Sequence, residues 1–158
     1  MEVFIESKPA FSTKTKSRAW TAFQVLIGSL FLAACSQVSI PLYPVPMTMQ
    51  TLGVFTLAIM QGGKKASYSA LFYLALVSLG FPVLANGSSN AAWFAIPTAG
   101  YLVAFPIAAY VIGKLISLRE KSSALWVLMS VLVGQVIIYI LGVGFLTRLL
   151  SLKESLMV

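Results

Sequence analysis

The string ALWVLMSVLVGQVIIYILGVGF, residues 124–145, decides what kind of molecule this chain is. It carries no charged side chain. At about 1.5 Å of rise per residue, a helix of that length crosses a hydrocarbon core of about 30 Å. Charge flanks it on both sides: Lys114, Arg119, Glu120 and Lys121 before it, Arg148, Lys153 and Glu154 after it. Working towards the N-terminus, residues 98–117 form another apolar run, with Pro106 inside it as an expected kink. Residues 19–40 form a third run, uncharged and of spanning length. Between them lie two shorter apolar stretches, 48–61 and 66–80, each roughly 21–23 Å long as helix. Those two are plausible only as members of a bundle, with their ends buried in protein. Gly62-Gly63-Lys64-Lys65 separates them, and Pro41, Pro44 and Pro46 make an extended connection ahead of them.

The expectation is an all-α integral membrane protein, a polytopic helix bundle with five transmembrane helices. Composition agrees. Of 158 residues, 59% are hydrophobic and 9% charged, and the mean hydropathy is +0.92. Soluble domains carry about 25% charge, so there is too little polar surface here to face water all round.

Basic residues tend to collect on the cytoplasmic side of a membrane and fix orientation. With a cytoplasmic N-terminus, nine of the eleven basic residues face inward: Lys8, Lys14, Lys16, Arg18, Lys64, Lys65, Lys114, Arg119 and Lys121. The two outer connections, 41–47 and 81–97, hold none. The organisation expected is a cytoplasmic N-terminal segment 1–18, a transmembrane domain 19–150 and a short C-terminal tail 151–158. The net charge of +7 then reports orientation and anionic lipid, not nucleic acid.

With four acidic residues and no His or Asp, no carboxylate dyad, His-based triad or His/Cys metal site can be assembled, and an enzyme or a metal cofactor is not expected. The chain holds no Gly-x-x-x-x-Gly-Lys-Ser/Thr phosphate loop, so an ATPase driving transport would be another chain. Leu32-Ala33-Ala34-Cys35 after a basic segment imitates a lipoprotein signal, but the apolar run continues past Cys35, which favours an ordinary membrane helix.

Candidate binding residues follow from polarity in the wrong place. The outer connection 81–97, about 17 residues, is longer than most helix–helix links. It sets Asn86 and Asn90 among aromatic Trp93 and Phe94. The amides can orient an uncharged polar group while the rings cover apolar parts; equally, the segment reads as a turn with interfacial anchors. Gln50 follows the proline connection and should face the outer mouth. Gln24, Gln37, Gln50 and Gln135 are pocket or interhelical candidates, with interhelical glue the favoured reading of Gln24 and Gln135. The small pairs Ser29/Ala33 and Ala109/Gly113 read as close-packing positions.

Two local strings are similar to signatures of a known family. Ser39-Ile40-Pro41 running into Pro44-Val45-Pro46-Met47-Thr48-Met49-Gln50-Thr51-Leu52-Gly53 resembles the first signature of the BioY family. Gly80-Phe81-Pro82-Val83-Leu84-Ala85-Asn86-Gly87, then Pro97-Thr98-Ala99-Gly100-Tyr101, resembles its second. The resemblance covers about residues 20–150. It implies a biotin-binding membrane subunit of an energy-coupling-factor (ECF) transporter, with neither cofactor nor ATPase of its own. Such a subunit sits in the bacterial plasma membrane as a multi-pass protein beside a transmembrane coupling protein and two ATPases. The implied ligand contacts are Gln50, Asn86, Gly87, Asn90, Trp93, Thr98, Gly100 and Tyr101. The chain departs from the pattern at Ser88-Ser89-Asn90, Ile96 and Ala99, where the family carries glycine. The family's sixth helix, opened by Pro-Gly-Asp, has no counterpart here, so the chain reads as a shortened member. The alternatives are a membrane remnant that binds no vitamin and a subunit for another small vitamin.

Overall fold

The computed structural model describes residues 11–42, 45–119 and 123–156, with side chains from Arg18 to Ser151. Outside the described side chains fall all four acidic residues, Glu2, Glu6, Glu120 and Glu154, and the basic residues Lys8, Lys14, Lys16, Lys121 and Lys153. Pro44 lies outside as well. Five helices follow in order: α1 (Phe11–Gln37), α2 (Gln50–Gln61), α3 (Gly63–Ser78), α4 (Ala99–Ser117) and α5 (Ala124–Leu156). A two-residue antiparallel pair, β1 (Ser39–Ile40) with β2 (Met47–Thr48), joins α1 to α2 in the register Ser39–Thr48 and Ile40–Met47. Short 3-10 turns at Ala85–Gly87 and Trp93–Ala95 lie between α3 and α4.

The helical reading holds, with corrections at the ends. The first helix stops at Gln37, not residue 40, because Pro41 disfavours helix in what precedes it and residues 39–40 pair with 47–48 instead. Gly63-Lys64-Lys65, expected as connection, is the first turn of α3. The reversal is carried by Gly62 alone, at φ 76°, a left-handed conformation open to glycine. Helix α4 runs through Pro106. Helix α5 continues past Phe145 and across the expected 150/151 boundary to Leu156, since no Gly or Pro stops Leu146–Leu150. Among the described residues three helices are long and apolar enough to cross a membrane by themselves: Arg18–Gln37, Ala99–Ser117 and Ala124–Ser151. The 12 residues of α2 and 16 of α3 reach about 18 and 24 Å.

Helix α4 is the centre of the bundle, packed on α2, α3 and α5, while α1 lies against α2 and α3. Its buried face, Leu102, Ala104, Phe105, Ala108, Ala109 and Ile112, meets Val54, Ala58, Ala70, Tyr73 and Val77 in one core. By contrast α5 is 17% buried along its span, and α1 22%. Their outer faces, Trp20, Phe23, Ile27 and Leu30 on α1 and Leu132, Val136, Ile140 and Val143 on α5, are exposed. Exposed apolar surface on this scale suits lipid as the solvent, where burial no longer drives association and close backbone approach does. Glycines supply that approach. A side chain on Gly113 would strike the Gly62–Gly63 backbone, and one on Gly28 would strike Ser69. Ser29, Ala109 and Gly113 are buried inside the bundle, so the small pairs serve internal packing.

The contacts sort the chain into two ends. At one end Gln61 Nε2 donates to Gln24 O at 2.9 Å and Lys65 Nζ to Gln24 Oε1 at 2.8 Å. Lys64, Lys65 and Lys114 surround a common hollow there. Gln24 is interhelical glue, as expected. The proline connection and the 81–98 segment meet at the opposite end.

Candidate functional site

The uncharged connection 81–98 is held by side chains of α1 and α3. Ser36 Oγ lies 2.7 Å from Val83 O, Tyr73 donates its hydroxyl to the same oxygen at 2.9 Å, and Gln37 Nε2 donates to Leu84 O at 3.1 Å. The chain then reverses through two left-handed residues in succession, Asn86 (φ 58°) and Gly87 (φ 66°). Asparagine is among the few side chains that tolerate this conformation. Ser39 Oγ donates to Asn86 Oδ1 at 2.9 Å, tying the turn to β1.

Between this segment, the β1–β2 connection and helices α2, α4 and α5 lies a cavity of about 540 Å³, within the range of small-molecule sites. Its polar lining is Thr48, Gln50, Thr51, Asn86, Ser88, Thr98, Tyr101, Gln135 and Tyr139; Leu42, Leu84, Leu102, Phe105 and Ile138 supply apolar walls. Among the described lining residues none is charged. Such a set can hold a neutral donor–acceptor group and cover an apolar body, and it offers no acid–base pair.

Gln50 stands out in this lining. It is 5% exposed. Thr48 Oγ1 donates to its Oε1 at 3.2 Å. Its Nε2 is the one buried side-chain polar atom among the described residues with no hydrogen-bond partner. Buried amides are almost always satisfied, and an orphan donor is unfavourable by about 1–3 kcal/mol. Gln50 lines the cavity, and its side chain also lies close to the buried Tyr73 hydroxyl.

Of the eight residues expected to contact a ligand, the structure brings Gln50, Asn86, Thr98 and Tyr101 together on this cavity. The other four are not in its lining. Gly87 is the second left-handed residue of the turn. The Asn90 carboxamide oxygen accepts from the Ala92 amide at 2.9 Å, stabilising the local turn. Trp93 packs on the core and donates its indole N–H to Ser78 Oγ at 2.8 Å. Gly100 is where α5 crosses α4: a side chain there would run into Phe145 and Leu141 O. Sequence reasoning missed Thr48, Thr51, Ser88 and Tyr139. Of the two readings open for Gln135, pocket or interhelical glue, the structure places it on the cavity lining. Its amide amid an otherwise apolar run was the available signal.

Comparison with known proteins converges on one group. Residues 9–158 match the sequence model of the BioY family. The chain is 42% identical over 106 residues to the biotin transporter BioY of Thermotoga maritima, covering 67% of this chain and 62% of that one. It is 36% identical over 137 residues to the probable biotin transporter BioY of Pyrococcus horikoshii, covering 85% and 80%. With the biotin transporter BioY of Rhizobium etli it shares 34% identity over 122 residues, covering 73% and 65%. The chain thus spans just under two thirds of the first and third of these relatives. A solved structure, the S-component for biotin from an ECF-type ABC transporter, superposes with a TM-score of 0.73 at 26% identity, covering 84% of this chain and 74% of that one.

Proposed function

This chain belongs to the BioY family, and from that premise we propose that it is a biotin-binding membrane subunit that captures biotin from the outer face in the 540 Å³ cavity. The observation that carries the reading is the buried Gln50 carboxamide, whose Nε2 has no hydrogen-bond partner, in the lining of a cavity with no charged residue among its described members. Biotin's cyclic urea is neutral, with one acceptor and two donors, and matches amide and hydroxyl side chains without a charge on the protein. Its sulfur-containing ring and aliphatic chain suit Leu84, Leu102, Phe105 and Ile138. Asn86, Thr98 and Tyr101 lie on the same cavity and complete the polar set.

Five spans with a cytoplasmic N-terminus are part of the proposal. Support comes from the lysines of the α2–α3 turn and of the end of α4, which share one hollow at the end of the bundle away from the cavity. The short α2 and α3 form a hairpin held inside the bundle, where satisfied backbone at membrane depth is tolerated. Inward movement of the vitamin would use a separate energy-coupling module, a transmembrane coupling protein with two ATPases, in a bacterial plasma membrane. The reading is tested by calorimetry on detergent-purified protein. Saturable biotin binding at submicromolar Kd is expected, with competition panels of riboflavin and thiamine inert. Absence of heat and of thermal stabilisation at saturating biotin would reject it.

A further inference from the structure

The α5 helix is the most apolar candidate span, with mean hydropathy 2.3, and the least buried. Gln135 nevertheless sits mid-helix and lines the cavity, with Ile138 and Tyr139 on the turn above. Among the described residues its amide has no hydrogen-bond partner. A primary amide at membrane depth is retained only where something satisfies it, and here the cavity is what it faces.

Helix register fixes its depth. Gly134 packs against Ile112 of α4, and Gly142 packs against the Tyr101 ring. Gln135 therefore lies about 10 Å below Gly142 along α5, at the inner end of the cavity. The rim carries Thr48, Asn86 and Thr98, and the walls between are Leu102, Phe105 and Ile138. Along its length the lining runs from the polar rim through mainly apolar walls, with the Tyr101 and Tyr139 rings among them, to the Gln135 amide. A ligand with polar groups at both ends and an apolar middle fits this order lengthwise.

We propose that Gln135 is a specificity-determining residue that hydrogen-bonds the cyclic urea of biotin at the inner end of the cavity, with the carboxylate left at the rim. The inference rests on the biotin reading above. A carboxylate beside Gln135 would be desolvated with no cation among the described lining residues, a strongly unfavourable placement. At the rim it keeps water and the hydroxyl of Thr98, the Thr48 hydroxyl being already donated to Gln50 Oε1. The urea, being neutral, loses far less on burial, and a carboxamide presents it with both a carbonyl and N–H groups.

The test is a Kd series by calorimetry in detergent. Wild type, Gln135→Leu and Gln135→Met are titrated with biotin, biotin methyl ester and 2-iminobiotin. Leu and Met both suit a membrane helix, and thermal unfolding of each ligand-free variant checks the fold. Both substitutions should weaken biotin about 5- to 10-fold, the equivalent of one neutral buried hydrogen bond. The ester should be weakened by the same factor, and discrimination between biotin and 2-iminobiotin should shrink. Two outcomes would overturn the proposal while leaving the biotin reading intact. Folded variants could bind biotin like wild type, or the penalty could vanish for the ester, which would put the carboxylate at Gln135. Wild type that binds no biotin at all would remove the reading and this inference together.

Discussion

Replacing Gln50 by methionine should move stability and affinity in opposite directions. Methionine conserves the length of the side chain and fills the same space without polar atoms. In the ligand-free protein the substitution removes an orphan buried N–H, unfavourable by about 1–3 kcal/mol. It also removes the 3.2 Å bond from Thr48 Oγ1, worth about 1 kcal/mol. Thr48 is half-buried, and its oxygen still has the Gln50 backbone N–H at 3.4 Å, so no fully buried group is newly stranded. The balance is a ligand-free protein unchanged or stabilised by up to about 2 kcal/mol. On the proposed reading biotin, by contrast, loses the hydrogen bond assigned to Gln50 Nε2, and its Kd should rise about 5- to 15-fold. Thermal unfolding in detergent, without and with biotin, reads both effects on one sample. A destabilised ligand-free variant that keeps wild-type affinity would refute the reasoning, because it would mean the Gln50 amide is satisfied within the protein.

Three further outcomes are expected. Gly113→Ala should destabilise the protein by about 1–3 kcal/mol, because the added carbon meets the Gly62–Gly63 backbone rather than a side chain able to move aside; denaturant unfolding measures it. Tyr73→Phe removes the hydroxyl held on Val83 O and should weaken the loop anchor by about 1 kcal/mol, seen as faster amide exchange over residues 83–88 and a shorter biotin residence time. In a Cys35→Ser background, Ser89→Cys should react with a membrane-impermeant maleimide on intact cells and Lys64→Cys should not; the reverse pattern would invert the proposed orientation.

Much of the helical plan was legible because spans announce themselves through unbroken apolarity. The run 124–145 needs no partner to be read as helix, since no other conformation satisfies an isolated backbone in lipid. The charge asymmetry paired Lys64 and Lys65 with Lys114 before any contact was known, and the structure puts all three around one hollow. The helix ends were less legible. That Gly62 alone turns the chain, while Gly63 already belongs to α3, depends on a backbone angle that a Gly-Gly pair does not specify.

The site divides along the same line. Gln50 and Asn86 could be picked out because polar groups at the outer ends of apolar segments are conspicuous one residue at a time. What they do depends on neighbours distant in sequence. Asn90, Trp93 and Gly100 carry the same kinds of side chain or backbone freedom as the lining residues, but they serve a turn, a core contact and a helix crossing. Gln135 is the converse: an amide that composition alone would lend to another helix faces the cavity, because Gly134 and Gly142 set the rotation of α5 against α4. The amino-acid sequence by itself determined lipid as the solvent, helix as the element and the segregation of charge, all of which follow from local apolarity and charge. Which polar groups converge on one cavity was decided only by tertiary packing, because that depends on the azimuth of each helix about its axis, and azimuth is set by close contacts between residues far apart in the chain.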